Sequence, residues 1–588
     1  MRSARLLRRF GLVLVPAVLI AAAGVSLSGA SFERADAAFC NGAEPSSLDP
    51  QQGTGMPETR LVRALYEGLV VSDPRTGMPI PGMAESWSTS ADGLTWTFRI
   101  RAGSRWTDGA EVTAHDFAFA WERLLDPRTG AQYADLLFVV RGARAWAEDV
   151  GEDGAPTRTF ASNVAITALD ARTFVVGLEH PVDHFLALAV AAPLVPVSRH
   201  ALEAARARWP DRWQVEWTKP EHSVTNGPFR LVERRINDRI RLAKHEGYWD
   251  ADEVAFRTLD VLASEHLATN LNFYLTGEVA YLDEVPVSAI PRLRGREDYR
   301  PAPYLGSSFF RVNVAKPPLD DVRVRRALAL AIDRQEIADK ITKAGELPSF
   351  SLVPKLFAGW TGAELRRSGS LADDLDEARQ LLTEAGYGPT RPLPPIELHF
   401  ASQATNKDVC EVIADFWRKE LGITARLRNQ EWKVYLDAQR RLEYDISRSS
   451  WIADFADPAT FLEVFAPGAD NSRTGWSDAR YGDLLERARR AREPERFAIL
   501  AEAEALLLTE LPILPVYTFT VTSLVDPRLG GFHANPLDDH CPKFWYWKPD
   551  AELAESRAGN DPAIREVESH GPREGLLSPA EQRRRASR

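Results

Sequence analysis

The stretch SRSSWIADFADPATFL, from Ser447 to Leu462, puts an arginine, a tryptophan and an aspartate within seven residues: Arg448, Trp451 and Asp454. A second aspartate, Asp457, stands just before Pro458. Three chemistries fit this set. Asp454 and Asp457 could be paired carboxylates for acid–base work, although DFADP has the composition of a loop and Asp before Pro is a common turn former. Arg448 and Asp454 could instead close an internal ion pair beside two core tryptophans, Trp451 and the Trp432 of NQEWKVYLD. The third reading is a ligand site. An aspartate facing an enclosed cavity is costly unless paired, and a ligand ammonium can pair it. The Arg448 fork matches a carboxylate, and the two indoles offer flat apolar walls that demand no particular side chain opposite. An anion, a cation and aromatic walls suit a zwitterionic chain such as a peptide. These residues alone leave the ion pair and the ligand site both open.

Other reactive patterns are missing from the sequence. Beyond the N-terminal segment there is no GxSxG elbow, no Walker A and no GxGxxG phosphate loop. HEGYW at His245 lacks the second histidine of a zinc protease, and no CxxC or HExxH occurs, so neither a metal nor a cofactor is expected. The net charge of −11 argues against nucleic acid and against anionic lipid. Sixteen tryptophans leave enough for an aromatic-lined cavity after a core is filled.

The elements that must position these residues are legible along the chain. At 588 residues it exceeds one hydrophobic core, which predicts two or three domains. GLTWTFRIRAGSRWTDGAEVTAHDFAFAWERLL reads as a strand over Leu94–Ile100, a turn, and a helix from Ala114 capped by Thr113. FRTLDVLASEHLATNLNFYLTGEVAYLD reads as strand, helix, strand. FFRVNV is a strand, and PPLDDVRVRRALALAIDRQEIADKI a helix. IELHFA, NKDVCEVIADFWRKELG and ITARLRNQ form a further strand–helix–strand unit, with Gly422 as the helix C-cap. Such units build a sheet covered by helices.

The ends carry other information. Arg2, Arg5, Arg8 and Arg9 precede an uncharged, mostly apolar run, and small residues follow at Ala35 and Ala37. This is the pattern of a secretory signal peptide cut near Ala37; the alternative is an uncleaved anchor, against which Pro16 argues. An oxidising compartment permits disulfides. Of the three cysteines, Cys40 and Cys541 stand near opposite ends of the folded chain, and chain ends often lie close together, so they are a candidate staple. Cys410 reads as a buried small hydrophobe. From Ala551 to Arg588 the composition predicts a disordered tail.

Taken in order, NGAEPSSLDP, LYEGLVVSD, PGMAESW, WTDGAEVTAHDFAFAWERLLDP, TNGPFRL, KPPLDDVRVRRALALAIDR, NQEWKVYLD, WIADFADPATFL and NPLDDH resemble the periplasmic oligopeptide-binding proteins, solute-binding family 5 of the peptide ABC importers, from about Asn41 to Lys548. The resemblance implies an α/β, two-lobed periplasmic-binding-protein fold of the large peptide-binding type, with an extra subdomain in the first lobe. After a signal peptide at 1–37, the first lobe would hold 38–66, 193–305 and 521–550, and the subdomain 67–192. The second lobe would span 306–520, with 551–588 as the tail and the crossings near YLGSSFF and PVYTFTV. It implies that Asp454 pairs the peptide amino group and that Arg448 serves some peptide carboxylates. Tyr133, Tyr304, Trp432 and Trp451 would be walls, with Phe309 and Phe519 in place of tyrosines.

The departures from the family pattern concern ligand length and side-chain preference. Asn406 stands for a histidine, Thr342 for a lysine with Lys343 adjacent, Thr54 for a pocket glutamate and Gln439 for a pocket arginine. Gly306 and Ile452 replace a cysteine pair. The function implied is a periplasmic, monomeric, non-enzymatic receptor that binds short peptides between its lobes and delivers them to a membrane permease. A murein-peptide or other solute receptor of the same fold is the first alternative, and a secreted hydrolase the alternative of another class.

Overall fold

The computed structural model describes residues 34–402 and 404–550. The expected leader and tail therefore fall largely outside the described residues. Asp36 and Ala37 do not: the Asp36 carboxylate accepts from the backbone N–H groups of Arg257 (2.6 Å) and Thr258 (3.0 Å), and Ala37 opens the first strand. Both residues thus lie in the folded first lobe, at the boundary where the sequence places the end of the leader.

An 11-stranded sheet runs through the molecule. In chain order its strands are β1 (Ala37–Cys40), β2 (Phe229–Arg235), β3 (Arg239–Lys244), β4 (Thr258–Leu262), β5 (Tyr281–Leu282), β6 (Tyr299–Val312), β7 (Leu347–Pro348), β8 (Ile396–Ala401), β9 (Ala425–Gln430), β10 (Ile446–Ile452) and β11 (Ile513–Val525). Their spatial order is β9-β8-β10-β6-β11-β5-β1-β4-β3-β2, with β7 beside β11. The two long strands β6 and β11, 14 and 13 residues, pair antiparallel through the middle. Their register slips between Pro303 and Ser307, inside the first of the expected crossings.

The hydrophobic cores divide at that slip. Residues from Ala37 to Tyr299, rejoined by Leu524, Val525, Leu529 and Trp545, pack into one set of clusters, whereas those from Leu305 to Tyr517, Ala344 excepted, pack into another. This gives two lobes joined by β6 and β11. A separate four-stranded sheet (Ala84–Thr89, Thr95–Ile100, Thr173–Gly177, Ile166–Asp170) shares the first core, with the helix Ala114–Leu125 laid on it. That helix starts where Thr113 predicts: the Asp116 carboxylate reaches back to the Thr113 N–H at 2.8 Å.

In the second lobe β8 runs parallel to both β9 and β10. Helix α1 (Ala404–Leu421) follows β8 and α2 (Trp432–Arg440) follows β9. Gly422 ends α1 with φ +68°, the left-handed conformation that a side chain would strain. The expected single helix after Pro318 is instead broken. Val322–Leu330 is helical, then the Asp333 carboxylate caps a new turn by accepting from Glu336 N–H at 2.9 Å. Aspartate competes for backbone donors in this way, which helical periodicity does not register. Among the described residues no helix is long and apolar enough to cross a membrane.

Candidate ligand-binding cleft

Ligands of parallel α/β sheets bind beyond the carboxyl ends of the strands. Three of the expected site residues stand there: Asn406 after β8, Trp432 after β9 and Asp454 after β10. Their clustering follows from strand direction, since three parallel strands end on one side. From the first lobe come Tyr133, whose hydroxyl reaches the Thr54 carbonyl (3.3 Å), and Tyr304 on β6 at the boundary between the lobes.

Asp454 is exposed, and its carboxylate takes one hydrogen bond, from the Thr460 hydroxyl at 3.2 Å. Among the described residues it has no cation partner. Protein packed around it nevertheless disfavours the charge. Burial pushes its carboxyl up to about 6; the Thr460 bond opposes this and the nearby Asp135 charge reinforces it. Burial and the same aspartate pair, Asp454 and Asp135, raise Tyr133. Tyr304 is raised by burial, with Asp538 and then Asp454 among the charges it meets. Asp454, Asp135, Tyr133 and Tyr304 therefore share one electrostatic neighbourhood. Asp135 lies two residues from Tyr133, where no sequence pattern singles it out.

The internal Arg448–Asp454 pair is not formed. Arg448 is 8% exposed and donates to the Tyr517 hydroxyl at 2.7 Å, while its Nε has no partner. The second aspartate is paired within the protein. Asp457 takes a two-pronged bond from Arg496 at 2.6 and 2.8 Å, and accepts from the Ala459 N–H at 2.9 Å. Burial acts against its charge, but the Arg496 guanidinium outweighs it and holds the carboxyl below its usual range. The stability this contributes is present above the unfolded-state pKa and lost as pH falls through the folded one. Both partners are buried, so Asp457→Asn is expected to destabilise the fold by about 3–5 kcal/mol, read by denaturant unfolding at pH 7.

The aromatic residues separate. Trp432 is 56% exposed and lies nearly parallel to Tyr435, with ring centroids 5.6 Å apart. Trp451 is half-buried. Tyr304, Phe519 and Ile452 gather around Gly306, where a Cβ would come within 2.8 Å of the Phe519 ring. Gly306 and Ile452 are direct cross-strand partners, so the positions that hold cysteines in the family face each other here as glycine and isoleucine. Phe309 is a correction: it is 0% exposed and packs edge-on against Phe465, inside the core. Without the phenolic oxygen of a tyrosine, nothing polar draws that ring toward water. Asn406 is buried and donates to the Ala401 carbonyl at 3.2 Å. Gln439 lies within a network with Ser447, Ser449 and Tyr435.

The cysteine staple is also corrected. Cys40 and Cys541 are free thiols. The chain ends do meet, since Trp545 stands edge-on to Phe39 at 5.4 Å. Successive strand residues face opposite ways, however, so Cys40 points away from Phe39 into the cluster of Tyr274 and Leu282, while Cys541 donates to the Arg63 carbonyl.

Two lobes joined by paired crossing strands, with Tyr133 and Asp135 of one and Asp454 of the other in a single electrostatic neighbourhood, define a solute-binding protein of the two-lobed periplasmic type. The chain belongs to the family described as bacterial extracellular solute-binding proteins, family 5, whose middle region matches residues 78–473. It is 34% identical to the periplasmic oligopeptide-binding protein OppA of Salmonella typhimurium over 505 residues, 85% of this chain and 90% of that one. It is 31% identical to the periplasmic murein peptide-binding protein MppA of Escherichia coli, over 84% of this chain and 90% of the relative. The Haemophilus influenzae OppA solved in complex with RPPGFSPFR superposes with a TM-score of 0.73 at 30% identity, covering 88% of this chain and 99% of that one.

Proposed function

We propose that the protein is the extracytoplasmic receptor of an ABC importer for short peptides. A leader removed near Ala37 would take it to the periplasm. There it acts as a monomer, encloses a peptide between its lobes and hands it to the membrane permease. The observation that carries this reading is the Asp454 carboxylate: its charge is felt at Tyr133 and Tyr304, and among the described residues no internal cation neutralises it. A peptide ammonium supplies that charge. The peptide main chain adds hydrogen bonds in extended form, as in strand addition, and β6 and β11 provide the hinge about which the lobes close.

Arg448, with a free Nε donor, is the partner for a peptide carboxylate of matching length. Arg448→Ala is therefore expected to weaken only those peptides whose C-terminus reaches it. Calorimetry with di- to pentapeptides checks this, and equal losses at every length would contradict the role. The receptor is not a hydrolase, so peptides incubated with it should be recovered intact. A murein-peptide receptor is the second reading. It draws on the uncharged residues Thr54, Thr342, Asn406 and Gln439 at positions where the oligopeptide-binding pattern is charged or basic, and on the likeness to MppA. Mass spectrometry of ligand released from protein purified from its own host decides between the two.

A further inference from the structure

β6 and β11 are the covalent crossings between the lobes, but a second, non-covalent crossing lies far from them in sequence. The His184 ring lies flat on Phe455, with centroids 5.0 Å apart and planes 4° apart. Arg496, at the start of the helix Glu495–Glu510, forks Asp457 and places Nη2 3.3 Å from His184 Nδ1. Alongside, the Glu493 N–H donates to Asp183 Oδ2 at 3.4 Å and Arg492 Nη2 donates to the Asp92 carbonyl at 3.2 Å. Asp92, Asp183 and His184 belong to the unit built on the four-stranded sheet. Phe455, Asp457 and residues 492–496 belong to the second lobe.

Burial holds His184 below its ordinary range, so its ring is neutral near pH 7. A neutral ring bonded to Arg496 must accept through Nδ1 and carry its proton on Nε2. Asp457 Oδ2, 3.6 Å from Nδ1, is too far to be the acceptor of a hydrogen bond from it. The histidine thus engages both ends of the DFADP loop: it stacks on Phe455, the residue after Asp454, and it bonds the guanidinium that grips Asp457.

We infer that His184 is a positioning residue for ligand capture: with Phe455 and Arg496 it forms a clasp that joins the lobes across the cleft and holds the Asp454 loop in place. The inference rests on Asp454 being the amine anchor. In this inference hinge opening parts His184 from Phe455 and Arg496, and the clasp thereby slows ligand release. The encounter of ligand with an open cleft does not involve it, so the association rate is left unchanged.

The test is stopped-flow binding of trialanine to wild type, His184→Ala, Phe455→Ala, the double variant and Asp454→Ala, each with its melting temperature measured. His184→Ala is expected to raise the dissociation rate about tenfold with little change in association, as loss of a ring pair and a charged hydrogen bond would. His184→Phe keeps the stack and His184→Gln keeps an acceptor, so both should fall between. The double variant should release no faster than the worse single one, because the two residues act as a unit. A wild-type dissociation rate in His184→Ala would overturn the clasp, even with a lowered melting temperature, since that pattern marks a merely structural residue. Additive effects would overturn it too. If Asp454→Ala binds trialanine normally, the amine-anchor reading fails and the inference falls with it. If Asp454→Ala loses binding while His184→Ala releases as wild type, only the clasp fails.

Discussion

Asp454→Ala is expected to lose affinity for a free tripeptide by two orders of magnitude or more. The carboxylate has no competing cation among the described residues, so on the proposed reading the ligand ammonium is its charge partner. Closure removes this pair from water, and deleting one member of a buried pair costs about 3–5 kcal/mol, at about 1.4 kcal/mol per factor of ten. The loss should be specific to the amino group. An N-acetylated tripeptide should bind wild type about as weakly as the free peptide binds Asp454→Ala, and the variant should barely distinguish the two ligands. Calorimetry of this two-by-two set measures the coupling directly. Full affinity of Asp454→Ala for the free peptide, or wild-type affinity for the acetylated one, would refute the anchor.

Affinity should also fall steeply with acid. Burial, aided by Asp135 and opposed by Thr460, places the free Asp454 carboxyl at about 6. A ligand ammonium selects the charged form, so binding lowers that pKa and takes up no proton above it. Affinity is thus full above about pH 6 and declines below it, approaching a factor of ten for each pH unit because a single proton must be displaced. On the alkaline side the peptide amine itself loses its proton near pH 8, so the profile is a bell with its plateau between. Asp135→Asn removes one of the two upward pushes and should move the acid limb to lower pH without abolishing binding. An acid limb unmoved in Asp454→Asn would assign the titration to another group.

Local elements were written in the sequence because their causes are local. Thr113 with Asp116 starts one helix, and Gly422 ends another with a conformation glycine tolerates. The strand–helix–strand order after Ile396 puts Asn406, Trp432 and Asp454 at one end of a parallel sheet, so three of the candidate residues follow from strand direction. The ordered run of family-like segments marked the two-lobed architecture.

Partners distant along the chain were decided by the tertiary structure. Arg448 could have closed on Asp454, six residues away, but the β6–β11 pairing delivers the Tyr517 hydroxyl instead. Phe309 and Cys40 took the faces that strand alternation gave them, one into the core and one away from Cys541. His184 meets the Asp454 loop, and the Asp135 charge reaches it, only because the lobes fold over one another, bringing together residues some 300 positions apart. No periodicity of 2 or 3.6 reaches that far: it records which way a side chain faces, and the chain's path determines what it meets there.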